Sequence, residues 1–122
     1  MLKAGTAARR QSVRLTQRMD GEEVRADVEQ FLHTLDARLQ QQDATWVGHC
    51  KLLITSGDAT AYASMTAADD TPRWAGAPVA LESAEITLYV ALYSWTDADV
   101  AAAVDGLLAA TPILHEAVAH LS

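Results

Sequence analysis

Polar and hydrophobic positions alternate along three segments between Trp46 and Trp95, and helical patterns precede and follow these segments. Alternation with a period of two is typical of strands, whereas apolar residues three and four apart indicate an amphipathic helix. The order of the segments predicts an α+β domain, with helices packed on one face of an antiparallel-rich sheet. We expect the element order β-α-β-β-β-α-α, which is related to ferredoxin-like folds.

The first half of the chain predicts a strand, a long helix and a hairpin. Residues 12–19 alternate imperfectly and predict a half-buried strand near a sheet edge. Asp20 is a suitable N-cap for a helix over residues 21–41, whose apolar stripe is Val24, Val28, Phe31, Leu32, Leu35 and Leu39. Asp36 is placed with the charged, solvent-facing residues of this helix, where His33 could pair with it. A turn at residues 56–58 joins the strands 45–55 and 59–66 into a hairpin.

The second half begins with a long irregular stretch, residues 67–83, of a length that is often functional. Within it, Trp74 either folds back onto the core or contacts a ligand. Residues 84–95 form the clearest strand, and because both of its faces are apolar or aromatic we expect it to be central. Thr96 and Asp99 form a capping box for the next helix. Thr111 and Pro112 begin a last helix, with Ile113, Leu114, Ala117, Val118 and Leu121 facing inward.

Length and composition indicate a single globular domain. The chain has 122 residues, of which half are hydrophobic, and this is enough for a self-sufficient core. The single cysteine, Cys50, excludes a disulfide within one chain, so we expect a cytoplasmic protein. No apolar run approaches the roughly 20 residues that a membrane-spanning helix needs.

The net charge of −7 is unevenly distributed. The first 18 residues contain no acid and five basic residues, which are Lys3, Arg9, Arg10, Arg14 and Arg18. We expect residues 1–11 to be a flexible basic arm in front of a single domain, residues 12–122. Such an arm could contact an anionic partner or the acidic body of a neighbouring subunit. Its lack of aromatic residues and the acidic body argue against nucleic-acid binding.

Motifs for nucleotide binding, nucleophilic catalysis and zinc binding are absent from the sequence. In the triplet His49-Cys50-Lys51, a strand would place His49 and Lys51 on one face and Cys50 on the other, which favours a buried, structural cysteine. The adjacent pair Asp69 and Asp70 lacks the further oxygen ligands of a cation site, so we expect a turn. We predict no metal and no cofactor.

The run from Val47 to Leu53, the small-residue strand after it and the run from Ile86 to Leu92 together resemble the non-GTPase portion of the CobW family of metallochaperone GTPases. The similar segment in that family is apolar-Gly/Ala-His-apolar-Lys, matched here by His49 and Lys51. The nucleotide-binding half and the metal-binding cysteine motif of the family are missing from this chain. The resemblance therefore implies an accessory domain that serves metal-cofactor assembly, without GTP hydrolysis.

These observations favour a non-enzymatic interaction domain, most simply a homodimer or a partner of another protein. Its interface would be the second face of the 84–95 strand, unless the last helix covers that face. The candidate interface residues are Tyr89, Tyr93, Trp95, Trp74, His49, Lys51 and Leu53. The alternative is a small-molecule-binding or catalytic domain with a pocket near residues 67–83. In that alternative His49 is the acid or base and Lys51 contacts an anion.

Overall fold

A computed structural model describes residues 3–114 of the protein and the backbone of residues 117–121. Its elements in chain order are β1 (Ala4–Met19), α1 (Gly21–Gln42), β2 (Val47–Ser56), β3 (Ala59–Ala67), β4 (Arg73–Ala75), β5 (Leu81–Tyr93), α2 (Asp97–Ala110) and β6 (Ala117–Leu121). The fold class is α+β, as predicted.

The described strands form one six-stranded sheet in the order β4-β3-β2-β5-β1-β6, with antiparallel neighbours throughout. β5 pairs with β2 on one side and β1 on the other, so the prediction that it is internal is confirmed. β1 and β2 run parallel on either side of β5, and β5 and β6 run parallel on either side of β1. These two interlocked split β-α-β units give the ferredoxin-like strand order, to which β3 and β4 are added beside β2.

Both helices pack on the same face of the sheet. The capping box of α1 is formed by Asp20 and Glu23, and its predicted apolar stripe is buried in full. In α2, Val100, Val104 and Leu107 are buried in the same core cluster. Alternate residues of β2, of β3 and of β5 from Ala84 to Leu92 point toward this cluster, as the alternation predicts. Gly57, with a φ of 59°, forms the tight turn of the predicted β2–β3 hairpin.

The prediction of a flexible basic arm over residues 1–11 is wrong for Ala4–Gln11, which belong to β1 and pair with β5 along their whole length. The two arginines of this segment, Arg9 and Arg10, form ion pairs with carboxylates of their own chain. Arg9 donates two hydrogen bonds to Asp105 on α2, at 2.7 and 3.0 Å, and these hold the pKa of Asp105 below its usual value. Arg10 pairs with Glu85 at 2.8 Å.

The last element also differs from the prediction. α2 ends at Ala110, and Ala117–Leu121, expected as part of a helix, pair with β1 as the edge strand β6. Ile113 and Leu114 are buried, as expected, but no helix leads to them in the described residues. The physical reason is the unpaired outer edge of β1, whose backbone groups need partners.

Asp36 is not on the solvent-facing side of α1, as predicted, but is 94% buried. Its carboxylate accepts hydrogen bonds from Trp46 Nε1 at 2.9 Å, Gln40 Nε2 at 3.0 Å and the Asp69 backbone N–H at 3.2 Å. Its partners are therefore the fully buried Trp46 and the turn after β3, rather than His33. The carboxylate thus links the C-terminal half of α1 to Trp46, which directly precedes β2, and to the turn that follows β3.

We expect Asp36→Ala to lower the free energy of unfolding by about 2–3 kcal/mol, because it leaves the buried Trp46 N–H without a partner. Urea unfolding followed by circular dichroism measures this change. Glu29→Ala is the matched control, since Glu29 makes only an exposed pair with Arg25 on the same helix, worth about 0.5 kcal/mol or less. Equal effects of the two substitutions would contradict a stabilising role for the Asp36 contacts.

Candidate functional site

The sheet face opposite the helices, called here the open face, is left uncovered by the described elements. Strand alternation places the exposed residues of β1, β2 and β5 on it. The exposed large hydrophobic side chains there are Val47 at 52%, Tyr89 at 42% and Tyr93 at 37%. Since a sheet face is normally covered when it carries large apolar side chains, this surface is the candidate site.

Strand register determines which open-face residues are neighbours. Tyr89 on β5 lies opposite Ala8 on β1 and Lys51 on β2, and Tyr93 lies opposite Ala4. Between the two tyrosines, Ala91 lies opposite Thr6 and His49. We call this half of the face the aromatic patch; it consists of Ala4, Thr6, Ala8, Val47, His49, Lys51, Tyr89, Ala91 and Tyr93.

Five of the seven predicted interface residues share the open face. Tyr89, Tyr93, His49 and Lys51 lie in the aromatic patch, and Leu53, half-buried, lies one row further along β2. The Lys51 ammonium sits 3.9 Å from the centroid of the Tyr62 ring on β3. This cation–π contact holds the charge of Lys51 on the β3 side of the face, away from Tyr89 and Tyr93.

The other two predicted interface residues lie elsewhere. β5 ends at Tyr93, and Ser94, with a φ of 70°, turns the chain so that Trp95 enters the core and is only 7% exposed. The chain crosses Gly5 closely here, since a Cβ at Gly5 would lie 2.5 Å from the Trp95 carbonyl oxygen. Trp95 was assigned to the open face because the alternation was extended beyond the end of the strand.

Trp74 lies on β4, opposite Ala63, and packs against the core on the helix side of the sheet. The Arg25 guanidinium of α1 lies over its ring, 5.6 Å from the centroid. Trp74 therefore folds back onto the core, the first of the two roles considered for it, and is not part of the aromatic patch.

The other half of the open face is polar. At the end of the sheet near the β2–β3 turn, a cleft of about 650 Å³ lies between β1, β5 and β2. Its polar side chains are Ser12, Arg14, Thr55, Ser56, Ser83 and Glu85. Glu85 is already paired with Arg10, and Ser56 Oγ donates a hydrogen bond to the Ser83 carbonyl oxygen at 2.8 Å.

Two smaller clefts adjoin the 67–83 segment, where a catalytic pocket was the alternative hypothesis. One is apolar and lined by Ile54, Ala61 and Pro78 among others, and the second lies between the start of α1 and Pro78. Neither is lined by His49 or Lys51, which lie on the open face. The structure thus separates the two residues from the loop with which they were expected to act.

Cys50 and His49 point to opposite faces of β2, as predicted. Cys50 is fully buried, and burial raises the pKa of its thiol to about 12, with a smaller contribution from the Asp36 charge. The thiol is therefore not a nucleophile at neutral pH.

Asp69 and Asp70 form a turn, as expected. Asp70 accepts hydrogen bonds from Thr66 and Thr71 and pairs with Arg73, and the Thr66 backbone N–H is the largest cause of its lowered pKa. No group of three or more metal-ligating side chains is present among the described residues. None of the described helices is long and apolar enough to cross a membrane.

The contribution of β1 to the open face was missed at the sequence level. Its exposed positions there are Ala4, Thr6, Ala8, Arg10, Ser12 and Arg14, and its buried positions begin with Gly5 and Ala7. Small residues on both faces hide a period of two from a hydropathy pattern. The only signal is that Arg10, Ser12 and Arg14 alternate with Gln11, Val13 and Leu15.

Comparison of the chain with family models, curated proteins and solved structures gives no match. The resemblance to the CobW family therefore stays a prediction.

We expect Cys50 to resist thiol reagents in the folded protein. At pH 8 its thiolate is a negligible fraction, and raising the pH to 10 still leaves the thiol protonated because its pKa is about 12. Absorbance assays with an aromatic disulfide reagent should show little reaction in the native state and one thiol per chain in 6 M guanidinium (about that concentration unfolds most domains). Rapid labelling without unfolding would contradict the observed burial.

Proposed function

We propose that this protein is a non-enzymatic interaction domain that self-associates through the aromatic patch, each copy using the same surface. The observation that carries the proposal is the one-sided covering of the sheet, which leaves Tyr89 and Tyr93 exposed on the same face of β5, with Ala91 between them. Aromatic side chains contribute large buried areas at interfaces, and exposed apolar area is stabilised by burial at about 25 cal/mol per Å².

The shape of the patch supports a second copy as the partner. The tyrosines of β5 form a ridge, and the register places Ala8 and Ala4 of β1 directly beside them. A surface with a ridge next to a row of small side chains is complementary to a second copy of the same surface when the two copies are related by a two-fold rotation. Each ridge then fills the alanine row of the other copy, as in an isologous interface. Stacked sheets about 10 Å apart interdigitate their side chains in this way.

The charge of the patch also supports burial. Its only basic side chains are Lys51 and His49, and Lys51 is held over Tyr62 toward one side. Arg9 and Arg10 are paired with Asp105 and Glu85 of their own chain. We therefore infer that these two arginines do not reach the acidic body of a neighbouring subunit, and that association through the aromatic patch depends only weakly on salt.

The catalytic alternative is weakened by the separation of His49 and Lys51 from the 67–83 segment. A role in metal-cofactor assembly rests on the sequence resemblance alone. Neither is needed to account for the aromatic patch.

We expect the double substitution Tyr89→Lys and Tyr93→Lys to weaken self-association by at least a hundredfold, because each central aromatic of an interface contributes on the order of 2 kcal/mol. Light scattering coupled to size-exclusion chromatography should give a dimer for the wild type and a monomer for the variant. Circular dichroism should be unchanged, since both side chains point away from the core.

Val79→Lys is the matched control, because Val79 is equally exposed at 44% but lies in the segment between β4 and β5. This variant should remain dimeric. A wild type that is monomeric at high micromolar concentration, or a Tyr89 and Tyr93 variant that stays dimeric, would overturn the proposal.

A further inference from the structure

We propose that the polar cleft at the β2–β3 end of the open face binds a small organic anion, with Arg14 holding its carboxylate or phosphate group and the surrounding hydroxyls contacting its polar body. The cleft has a volume of about 650 Å³, within the range of roughly 300–1,000 Å³ that is usual for small-molecule sites. It lies beyond the aromatic patch, and the inference goes beyond the proposed function and does not depend on it.

The charge on Arg14 is the first observation. In a chain of net charge −7, four arginines pair with a carboxylate, namely Arg9, Arg10, Arg25 and Arg73. Arg14 makes no ion pair with any residue in the described part of the chain. The acid that shares its cleft, Glu85, is occupied by Arg10 at 2.8 Å. With respect to the described residues, the guanidinium of Arg14 is therefore available to offer its planar set of donors to an external oxyanion.

The arrangement of hydroxyl groups is the second observation. Ser12, Thr55, Ser56 and Ser83 come from three neighbouring strands and line the same cleft. Ser56 has its proton committed to the Ser83 carbonyl oxygen, so its oxygen is left to accept a hydrogen bond. A ligand with hydroxyl groups of its own matches this mixture of donors and acceptors, whereas an apolar ligand does not.

The third observation is that the residues lining the cleft lie on strands that pair with one another. Ser12 and Thr55 both lie opposite Glu85, on the two sides of β5, and Arg14 lies opposite Ser83. The polar groups are thus fixed by paired strands rather than by loops, which keeps their spacing constant without a ligand. The chemistry shared by a sugar phosphate and a sugar acid, an oxyanion on a hydroxylated body, is the ligand class that this spacing suits.

The test is a titration of the ¹⁵N-labelled full chain, followed by ¹H–¹⁵N correlation spectra at constant ionic strength. The probes are glucose 6-phosphate, gluconate and uncharged glucose, which separate a phosphate from a carboxylate head and either from the sugar alone. We expect saturable shifts centred on Ser12, Arg14, Ser56 and Ser83 with at least one anion, and none with glucose. Arg14→Gln should weaken this binding at least tenfold.

Arg18→Gln is the matched control, because Arg18 lies on the same strand, is exposed and does not line this cleft. It should leave the affinity within about twofold, since Arg18 lines only the adjoining cleft and screening limits the effect of an exposed charge outside the site. If the two variants weaken binding equally, the anion is attracted by the overall positive charge of β1 and not held by Arg14, and the proposal is overturned. Shifts that do not saturate with either anion, or that glucose reproduces, would overturn it as well.

Discussion

Pairing of β5 with β2 on one side and β1 on the other is the interaction on which the remaining structure depends. It joins the two split β-α-β units, because each unit has a strand of the other between its own two strands. Both helices then lie on one face, where the alternate residues of β5 form the middle of the core. The same alternation sends Tyr89 and Tyr93 outward, so the core and the candidate site are set by one strand and its register.

Much of this arrangement was predictable from the sequence, since α1, the β2–β3 hairpin and β5 carry strong periodic patterns of large apolar residues. β1 was predicted only from residue 12 onward, because Gly5, Ala7 and Ala8 give no contrast between a buried and an exposed face. The sequence predicts a helix in place of β6, because Thr111 and Pro112 form a helix start signal and a five-residue strand has too few positions to define a period of its own. Its formation depends on the free edge of β1, which a local pattern does not contain.

The site was predictable to the extent that it follows from strand alternation. Tyr89, Tyr93, His49, Lys51 and Leu53 were assigned to one face correctly, because each lies inside a strand with a regular period. Trp95 was not, since it follows a left-handed residue. Trp74, for which a core role and a contact role were both open, lies on a short strand and packs against the core. Asp36 was misplaced for a related reason: its burial depends on Trp46 and Asp69, which are distant in sequence. The polar cleft is lined by residues of three different strands, so no short stretch of the sequence indicates it.

The long separation between β1 and its partners has a consequence for the order of events during synthesis. Among the described strands, β1 pairs with β5 and β6, so its backbone groups have water and no strand of their own chain as partner until Leu81–Tyr93 have left the ribosome. At about 5–20 residues per second, this interval lasts several seconds. Through that time the segment is a strand sequence without its partner, and unpaired strands are prone to aggregate. Its small residues and like charges are of the kind that oppose pairing between neighbouring chains, and the same small residues are the reason that β1 shows no hydropathy pattern.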